Sequence, residues 1–228
     1  MDNINFFNEN GYLILDNIFS NNKCEELVKL AYKLNEREDF RPIMNIHNIS
    51  KEVMEFMSNK LLLDIIHKFF NAQALGLQTE YFFMPPGTKG FSPHQDNTYV
   101  KASSDSFISA WIALTNVNNK NGGLIIWPKS HKENQLEQVE NESLPSKNQD
   151  PNARKMTSVI PKKYNSFSPE ISKGSVMLIH SWLVHASNNN NSKNNRNALL
   201  CTYIKEGADF RSGSYAKREA FKLYEGSK

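Results

Sequence analysis

The sequence has 228 residues, of which 39% are hydrophobic and 22% charged, and its formal net charge is +3. This composition is typical of a folded globular protein, and the length suits a single domain. The low net charge and the lack of a dense Lys/Arg block argue against nucleic-acid binding. No apolar run approaches the ~20 residues of a membrane helix, and the N-terminus lacks the pattern of a signal peptide. Two widely separated cysteines, Cys24 and Cys201, favour reduced thiols and a cytoplasmic protein.

The first third of the chain, residues 1–72, is predicted to be mainly helical. After Gly11, residues 12–15 have the pattern of a short strand. Ser20 provides an N-cap for residues 22–36, whose apolar residues follow helical spacing. Further helices are predicted near residues 51–58 and 60–70.

From residue 74 to about residue 205 the pattern changes to short strands. In residues 75–84 one set of alternating positions is apolar, and Gly/Pro turns separate the later apolar runs. Many short strands of this kind indicate a sandwich or barrel. Residues 131–170 are mostly polar and are predicted to form a lid or insert, and the tail from residue 206 is predicted to be peripheral. The basic residues of the insert are Arg154, Lys155, Lys162 and Lys163.

The tripeptide His94-Gln95-Asp96 is the candidate metal-binding motif. On a strand, His94 and Asp96 would share one face, because successive side chains point to opposite sides. With one further histidine from a distant strand they would form the two-His, one-carboxylate triad of non-haem Fe(II) oxygenases. The alternative interpretation is a polar turn at 94–96 and an unrelated histidine in the core. His180 and His185 both lie in the right part of the sequence to be the third ligand.

Three segments together resemble the phytanoyl-CoA dioxygenase family of Fe(II)- and 2-oxoglutarate-dependent oxygenases. The first is Pro93-His94-Gln95-Asp96, and the second is Trp111-Ile112-Ala113-Leu114 followed by Asn121-Gly122-Gly123-Leu124 and Pro128-Lys129-Ser130-His131-Lys132. The third has the family spacing H-x-S-x-x-N-x-S-x-x-x-R and runs from His185 to Arg196. Lys129 departs from the usual family glycine, within a turn. The resemblance covers residues 6–204.

The resemblance implies a mainly β fold, a double-stranded β-helix (jelly roll, cupin-like) with N-terminal helices packed outside. It implies that His94, Asp96 and His185 bind Fe(II), since the offsets to Ser187 and Arg196 select His185 over His180. The Arg196 guanidinium suits bidentate carboxylate recognition and would hold 2-oxoglutarate with help from Ser187. Trp111 and Gln78 are further candidates for the 2-oxoglutarate pocket, and Glu80 and Thr98 for substrate contacts.

The expected reaction is hydroxylation of an unactivated C–H bond by O2, with 2-oxoglutarate converted to succinate and CO2. The substrate would be a small molecule or an acyl/CoA-type compound, and the protein a monomer or homodimer. Two alternatives stay open: a cupin-like metalloenzyme that does not use 2-oxoglutarate, and a non-catalytic jelly-roll binding protein. The first would leave Arg196 without a role, and the second would need neither the triad nor Arg196.

Overall fold

The first third of the molecule is helical, as expected. The structure is a computed structural model that describes residues 2–35, 41–103, 105–140 and 156–223. Its N-terminal helices are α1 (Asn3–Asn10), α2 (Asn21–Leu34), α3 (Lys51–Met57) and α4 (Lys60–Phe70). The helices predicted in this region agree with α2, α3 and α4 to within two residues at each end. Within the described ranges, no helix has the length and apolar character needed to cross a bilayer.

Local side-chain and backbone chemistry sets the ends of these helices. The Ser20 hydroxyl accepts a hydrogen bond from the Lys23 N–H at 3.3 Å, so Ser20 is the predicted N-cap of α2. Helix α1 ends at Gly11, which has a φ of 79° and a backbone N–H that donates to the Phe7 carbonyl. Glycine adopts this left-handed conformation without steric cost. The chain therefore turns at Gly11 and enters the first strand directly.

The remaining elements are mainly short strands. A short helix, α5 (Asn97–Val100), lies between β3 and β4, and single turns of 3₁₀ helix occur at Ile46–Asn48 and Ser130–Glu133. The strands are β1 (Tyr12–Leu15), β2 (Ile43–Met44), β3 (Ala74–Met84), β4 (Phe107–Ala113), β5 (Leu124–Ile126), β6 (Gln138–Glu140), β7 (Met156–Ser158), β8 (Val176–His180), β9 (His185–Ser187) and β10 (Arg196–Lys205).

Apart from the separate β6–β7 pair, the described strands form two layers. The larger is a six-stranded sheet in the order β1-β8-β4-β10-β3-β2, and its neighbouring strands are antiparallel. The smaller layer is the β5–β9 pair, extended by single bridges from His94 to His185 and from Phe167 to Ile126. From β3 to β10, β6 and β7 aside, the chain alternates between the two layers, as in the expected double-stranded β-helix.

The large sheet has two different faces because alternate side chains of a strand point to opposite sides. On β10, Leu199, Cys201 and Tyr203 pack in the core cluster that includes helices α2, α3 and α4. Leu200 and Thr202, between them in sequence, line a cavity on the other side of the sheet. The helices therefore cover one face and leave the other for a site. Cys24 and Cys201 are both free thiols in the interior.

The predicted insert at 131–170 is only partly described, since residues 141–155, with Arg154 and Lys155, lie outside the described residues. On either side of that gap, β6 and β7 form an antiparallel pair, and Met156 of β7 lines the cavity. Lys163 pairs with Glu133 at 2.6 Å, and neither Lys162 nor Lys163 lines the cavity. The described part of this segment therefore brings an apolar side chain, not its lysines, to the cavity.

Candidate metal centre and cosubstrate pocket

His94, Asp96 and His185 lie together at one end of the cavity. The Asp96 Oδ1 atom is 3.7 Å from His94 Nε2 and 3.5 Å from His185 Nε2, and one ligand atom from each residue lies within 4.8 Å of the others. The His94 N–H donates to the His185 carbonyl at 2.9 Å, and the reverse bond is 3.0 Å. This pair of backbone hydrogen bonds holds two histidines that are 91 residues apart in sequence (185 minus 94) at one point.

The two histidines are oriented alike by the backbone. His94 Nδ1 lies 2.7 Å from the Ser92 carbonyl oxygen, and His185 Nδ1 lies 3.1 Å from the Leu183 carbonyl oxygen. A carbonyl can only accept a hydrogen bond, so each Nδ1 carries the proton and each Nε2 presents its lone pair. This tautomer suits a metal held between the two Nε2 atoms and Asp96.

The Asp96 carboxylate is held ionised by its neighbours. Burial alone would raise its pKa, but His185, His94 and a hydrogen bond from Ser109 lower it below its usual range. The Ser109 hydroxyl donates to Asp96 Oδ2 at 2.6 Å, which leaves Oδ1 directed at the histidines. Burial and the neighbouring His185 lower the pKa of His94 to about 4. At neutral pH His94 is therefore neutral and Asp96 is anionic.

The prediction that His94 and Asp96 share the face of a strand is wrong. His94 is in a single bridge, and the backbone turns into α5 at Asp96, whose φ and ψ are −58° and −36°. The same turn explains why Thr98, a candidate for substrate contacts, does not line the cavity. Side chains two positions apart diverge in a helix but align in a strand.

The two other histidines near the motifs lie elsewhere. His180 Nε2 is 3.0 Å from Asp105 Oδ1, and His180 Nδ1 accepts a hydrogen bond from the Trp182 N–H. His131 lies beside His180, with its Nε2 3.1 Å from the Asn8 carbonyl. The structure thus separates His180 from the His94–Asp96–His185 group, in agreement with the choice of His185.

Arg196 is a buried cation that lines the same cavity. Its side chain is 4% exposed, and Nη2 donates to the Gly122 carbonyl at 2.8 Å and contacts Met84 Sδ at 2.6 Å. The guanidinium lies 5.5 Å from the centre of the Trp111 ring, and burial lowers its pKa to about 10. Among the described residues, no carboxylate pairs with Arg196, and its Nε has no hydrogen-bond partner. A buried cation without a carboxylate partner favours an anionic ligand.

The remaining predicted residues, apart from Thr98, line the same cavity, which has a volume of about 460 Å³. The Ser187 hydroxyl accepts a hydrogen bond from the Phe91 N–H at 2.8 Å and keeps its own proton to donate. Gln78 and Glu80 are on the cavity face of β3, and the Gln78 amide donates to the Glu80 carboxylate. Trp111 lines the wall beside Arg196.

Comparison with known proteins identifies the family of this chain. The model for "Phytanoyl-CoA dioxygenase (PhyH)" matches residues 7–198. The chain belongs to the phytanoyl-CoA dioxygenase family. It is 29% identical to phytanoyl-CoA dioxygenase 1 of Oryza sativa subsp. japonica over 146 residues, which are 63% of this chain and 50% of the rice protein. The chain therefore spans about half the length of that relative.

Two solved structures from nogalamycin biosynthesis share the fold. One is the epimerase SnoN in complex with Fe3+, alpha ketoglutarate and nogalamycin RO, with a TM-score of 0.73, 14% identity, and coverage of 92% of this chain and 84% of that one. The other is the non-heme alpha ketoglutarate dependent carbocyclase SnoK, with a TM-score of 0.74, 18% identity, and coverage of 99% and 93%. The family is the one that the sequence motifs resemble, and the two structures show that the chain shares their fold.

Two residues of this phytanoyl-CoA dioxygenase family member support the site without having been singled out from the sequence. Ser109 donates a hydrogen bond to Asp96, as described above. The sequence feature that could have identified Ser109 is its position two residues before Trp111, on the same face of one strand. Gln95 is fully buried, and its side chain makes hydrogen bonds to the backbone of residues 134, 136 and 182. Its amide donates to the Asn134 and Trp182 carbonyls at 2.7 and 2.6 Å, and its Oε1 accepts from the Leu136 N–H at 2.8 Å.

The prediction that the tail from residue 206 is peripheral is wrong. Residues of this tail line the same cavity as residues of β3 and β10. A polar composition without hydrophobic periodicity gave no sign of this position. The tail is fixed by backbone hydrogen bonds to distant segments and by the packing of Phe221 and Leu223 on the core. The tail residues at the cavity are Arg211, Gly213, Ser214, Tyr215, Ala216 and Arg218.

Proposed function

We propose that this protein is an Fe(II)- and 2-oxoglutarate-dependent oxygenase that hydroxylates a C–H bond of a small-molecule or acyl/CoA-type substrate, with release of succinate and CO2. The main support is that one cavity contains two different binding features. One is the His94, Asp96 and His185 group, and the other is the buried Arg196 guanidinium with an unpartnered Nε. A metal site alone would not require the second feature.

His94, Asp96 and His185 would hold the iron. The Nδ1 protons are fixed on backbone carbonyls, so both Nε2 atoms can coordinate without any change of tautomer. Asp96 contributes the negative charge, and Ser109 fixes the orientation of its carboxylate. Three protein ligands on one side of the metal leave positions for other molecules, which is typical of this ligand set.

Arg196 and Ser187 would bind the distal carboxylate of 2-oxoglutarate. The guanidinium can direct its free Nε–H at one carboxylate oxygen, and the Ser187 hydroxyl can donate to the same group. Trp111 packs beside the guanidinium and limits its movement. When bound, iron and 2-oxoglutarate together supply the activation of O2 and the oxidation of the substrate. Apolar residues, including Phe82 and Leu124, line the same cavity and would help to exclude water from the bound cosubstrate.

The type of product is a separate question from the use of iron and 2-oxoglutarate. SnoN is described as an epimerase and SnoK as a carbocyclase, so the shared fold accommodates different outcomes. We propose hydroxylation because Asp96 completes a triad with a carboxylate, as the family resemblance implies for hydroxylases. Mass spectrometry of a product made under 18O2 would test this point, since a hydroxylated product gains oxygen and an epimerised one does not.

The central experiment is an anaerobic titration of the metal-free protein with Fe(II) and then 2-oxoglutarate, followed by the visible charge-transfer band of the iron–2-oxoglutarate chelate. We expect the band in the wild type, no band in His185→Ala, and a large increase in the 2-oxoglutarate dissociation constant in Arg196→Gln. His180→Asn is the matched control and should keep the band, because His180 pairs with Asp105 away from the group.

Two results would contradict the proposal. If iron binds and Arg196→Gln changes nothing, the cupin-like metalloenzyme that does not use 2-oxoglutarate becomes the better reading. If Fe(II) does not bind to the wild type, the jelly-roll binding protein becomes the better reading. Isothermal titration calorimetry with Fe(II) alone separates these two cases.

Several expectations about the whole protein stay predictions. These are a single oxygenase domain, a monomeric or homodimeric state, a cytoplasmic location, and the absence of nucleic-acid or membrane partners. Size-exclusion chromatography with light scattering would test the oligomeric state directly.

A further inference from the structure

The C-terminal tail, residues 206–223, forms an ordered wall of the cavity. The Arg211 N–H donates to the Val100 carbonyl at 2.6 Å, and Phe221 and Gly76 exchange two backbone hydrogen bonds of 2.9 Å. Between these anchors, the Asn45 side-chain amide donates to the Ala216 carbonyl at 2.8 Å. The tail is thus attached to the molecule on both sides of the residues that face the cavity.

Arg218 is a half-buried cation that the tail directs into the cavity. Its Nη1 is 3.4 Å from the carbonyl oxygens of Tyr99, Arg211 and Ser212, at the limit of hydrogen bonding. Among the described residues, its buried Nε has no hydrogen-bond partner. Burial lowers the pKa of Arg218, while the charges of Glu80 and Asp96 act in the opposite direction. The guanidinium therefore has donor capacity left for a ligand.

Arg211 adds a second positive charge at the same wall. Its side chain is exposed and lines the cavity, and its Nε donates to the Tyr99 carbonyl at 3.0 Å. The other nitrogens of its guanidinium have no hydrogen bonds to described residues. The two arginines are close enough for Arg211 to lower the pKa of Arg218. Two neighbouring guanidinium groups are a common arrangement for binding carboxylate or phosphate oxygens.

The charges around the cavity leave a positive excess for a substrate. Besides the two histidines, the acidic and basic side chains of the described lining are Glu80, Asp96, Arg196, Arg211 and Arg218. In the proposed complex, the iron dication offsets the 2-oxoglutarate dianion, and Asp96 offsets Arg196. The negative charge of Glu80 then offsets one of the two positive charges of Arg211 and Arg218, so the described lining keeps one net positive charge. A substrate with a negative group would balance it.

The rest of the lining is mainly apolar and would accept the body of such a substrate. We propose that Arg218, assisted by Arg211, binds the carboxylate or phosphate of an amphipathic substrate whose apolar part lies in the cavity beside the metal group. This inference rests on the proposed function and names the substrate class for the same site. The apolar lining residues that could contact the apolar part of the substrate are Met44, Phe82, Phe91, Phe107, Ile179 and Leu200.

The test compares four eight-carbon probes that differ only in their head group: octanoate, octyl phosphate, octan-1-ol and octylamine. Calorimetry under anaerobic conditions measures their dissociation constants for the wild type, with Fe(II) and saturating 2-oxoglutarate and also for the metal-free protein. We expect octanoate and octyl phosphate to bind at least about tenfold more tightly than the neutral and cationic probes. The tighter of the two anions identifies the head group that the tail prefers.

Variants locate the anion site. Arg218→Gln should remove the preference for anions and leave octan-1-ol binding unchanged, and Arg218→Lys should restore part of it. Lys222→Gln is the matched control, because Lys222 is an exposed cation of the same tail that does not line the cavity. Circular dichroism checks that each variant is folded. The comparison of probes on the wild type does not depend on any variant.

The proposal is overturned if octan-1-ol binds as tightly as octanoate, or if folded Arg218→Gln keeps the preference for anions. It is also overturned if saturating 2-oxoglutarate abolishes octanoate binding, since the anion was then at Arg196. A failure of the proposed function gives a different result. The iron–2-oxoglutarate band would then be absent, while the preference for anions and its loss in Arg218→Gln would persist in the metal-free protein.

Discussion

The hydrogen bond from Ser109 to Asp96 gives the most direct test of how the candidate metal centre is organised. The Ser109 hydroxyl is fully buried and donates to Asp96 Oδ2 at 2.6 Å, so that Oδ1 faces the two histidines. Ser109→Ala removes this donor with little change in volume. The carboxylate then loses its fixed orientation, and its pKa rises because one of the contacts that lower it is gone.

The expected effect is large enough to measure. A hydrogen bond to a charged group contributes about 1.5–3 kcal/mol, and residues that orient metal ligands typically change metal affinity by roughly 10- to 100-fold. We therefore expect the Fe(II) dissociation constant of Ser109→Ala to increase within that range. The affinity of the iron-loaded variant for 2-oxoglutarate should be unchanged, because Arg196 and Ser187 are not altered.

Anaerobic calorimetry with Fe(II) over a series of pH values is the assay. The folded-state pKa of Asp96 is below its ordinary value in the wild type, so the variant should lose metal at a higher pH as the solution is acidified. Ser181→Ala is the matched control, because the Ser181 hydroxyl is buried without a hydrogen-bond partner among the described residues. Equal Fe(II) affinity in Ser109→Ala and the wild type, or an equal loss in Ser181→Ala, would refute the reasoning.

Three further predictions concern stability. In Gly90→Ala, the new Cβ would lie 1.9 Å from the Ser187 backbone oxygen, so we expect a loss of about 1–3 kcal/mol in the free energy of unfolding and weaker 2-oxoglutarate binding, measured by urea titration and calorimetry. Gln95→Met should cost about 1–3 kcal/mol, because it leaves the Trp182 carbonyl buried without its hydrogen bond and removes the part-buried hydrogen bonds to Asn134 and Leu136; wild-type stability in urea would contradict this. Burial lowers the pKa of His131 to about 4, so between that value and about 6.5 the unfolded chain binds the extra proton. The thermal midpoint should therefore fall on acidification through this window, and His131→Asn should reduce the slope.

Local pattern determined much of the fold. The helices at 21–34 and 60–70 follow from apolar residues at helical spacing and from the caps Ser20 and Asn59. The long strand β3 follows from the alternating apolar positions of residues 75–84, and Gln78 and Glu80 lie on the same face of it. These features depend on residues close together in sequence, so one sequence is enough to predict them.

The conformation around Asp96 did not follow from local pattern. The sequence His94-Gln95-Asp96 fits an alternating strand, but the chain turns into α5 at Asp96. The turn is fixed from outside by the His94–His185 bridge and by the Asn97 N–H, which donates to the Ser181 carbonyl at 3.0 Å. A local pattern carries no information about such partners.

The sequence by itself determined the composition of the candidate centre: two histidines and one aspartate, with a serine and an arginine at the spacing of a known family. Only the tertiary structure decided which other residues share the cavity, among them Ser109 and the tail residues Arg211 and Arg218. Which residues can coordinate a metal or bind an anion depends on side-chain chemistry, which the sequence shows directly. Proximity depends on hydrogen bonds between segments far apart in the chain, such as Phe221 with Gly76, and these exist only once the chain has folded.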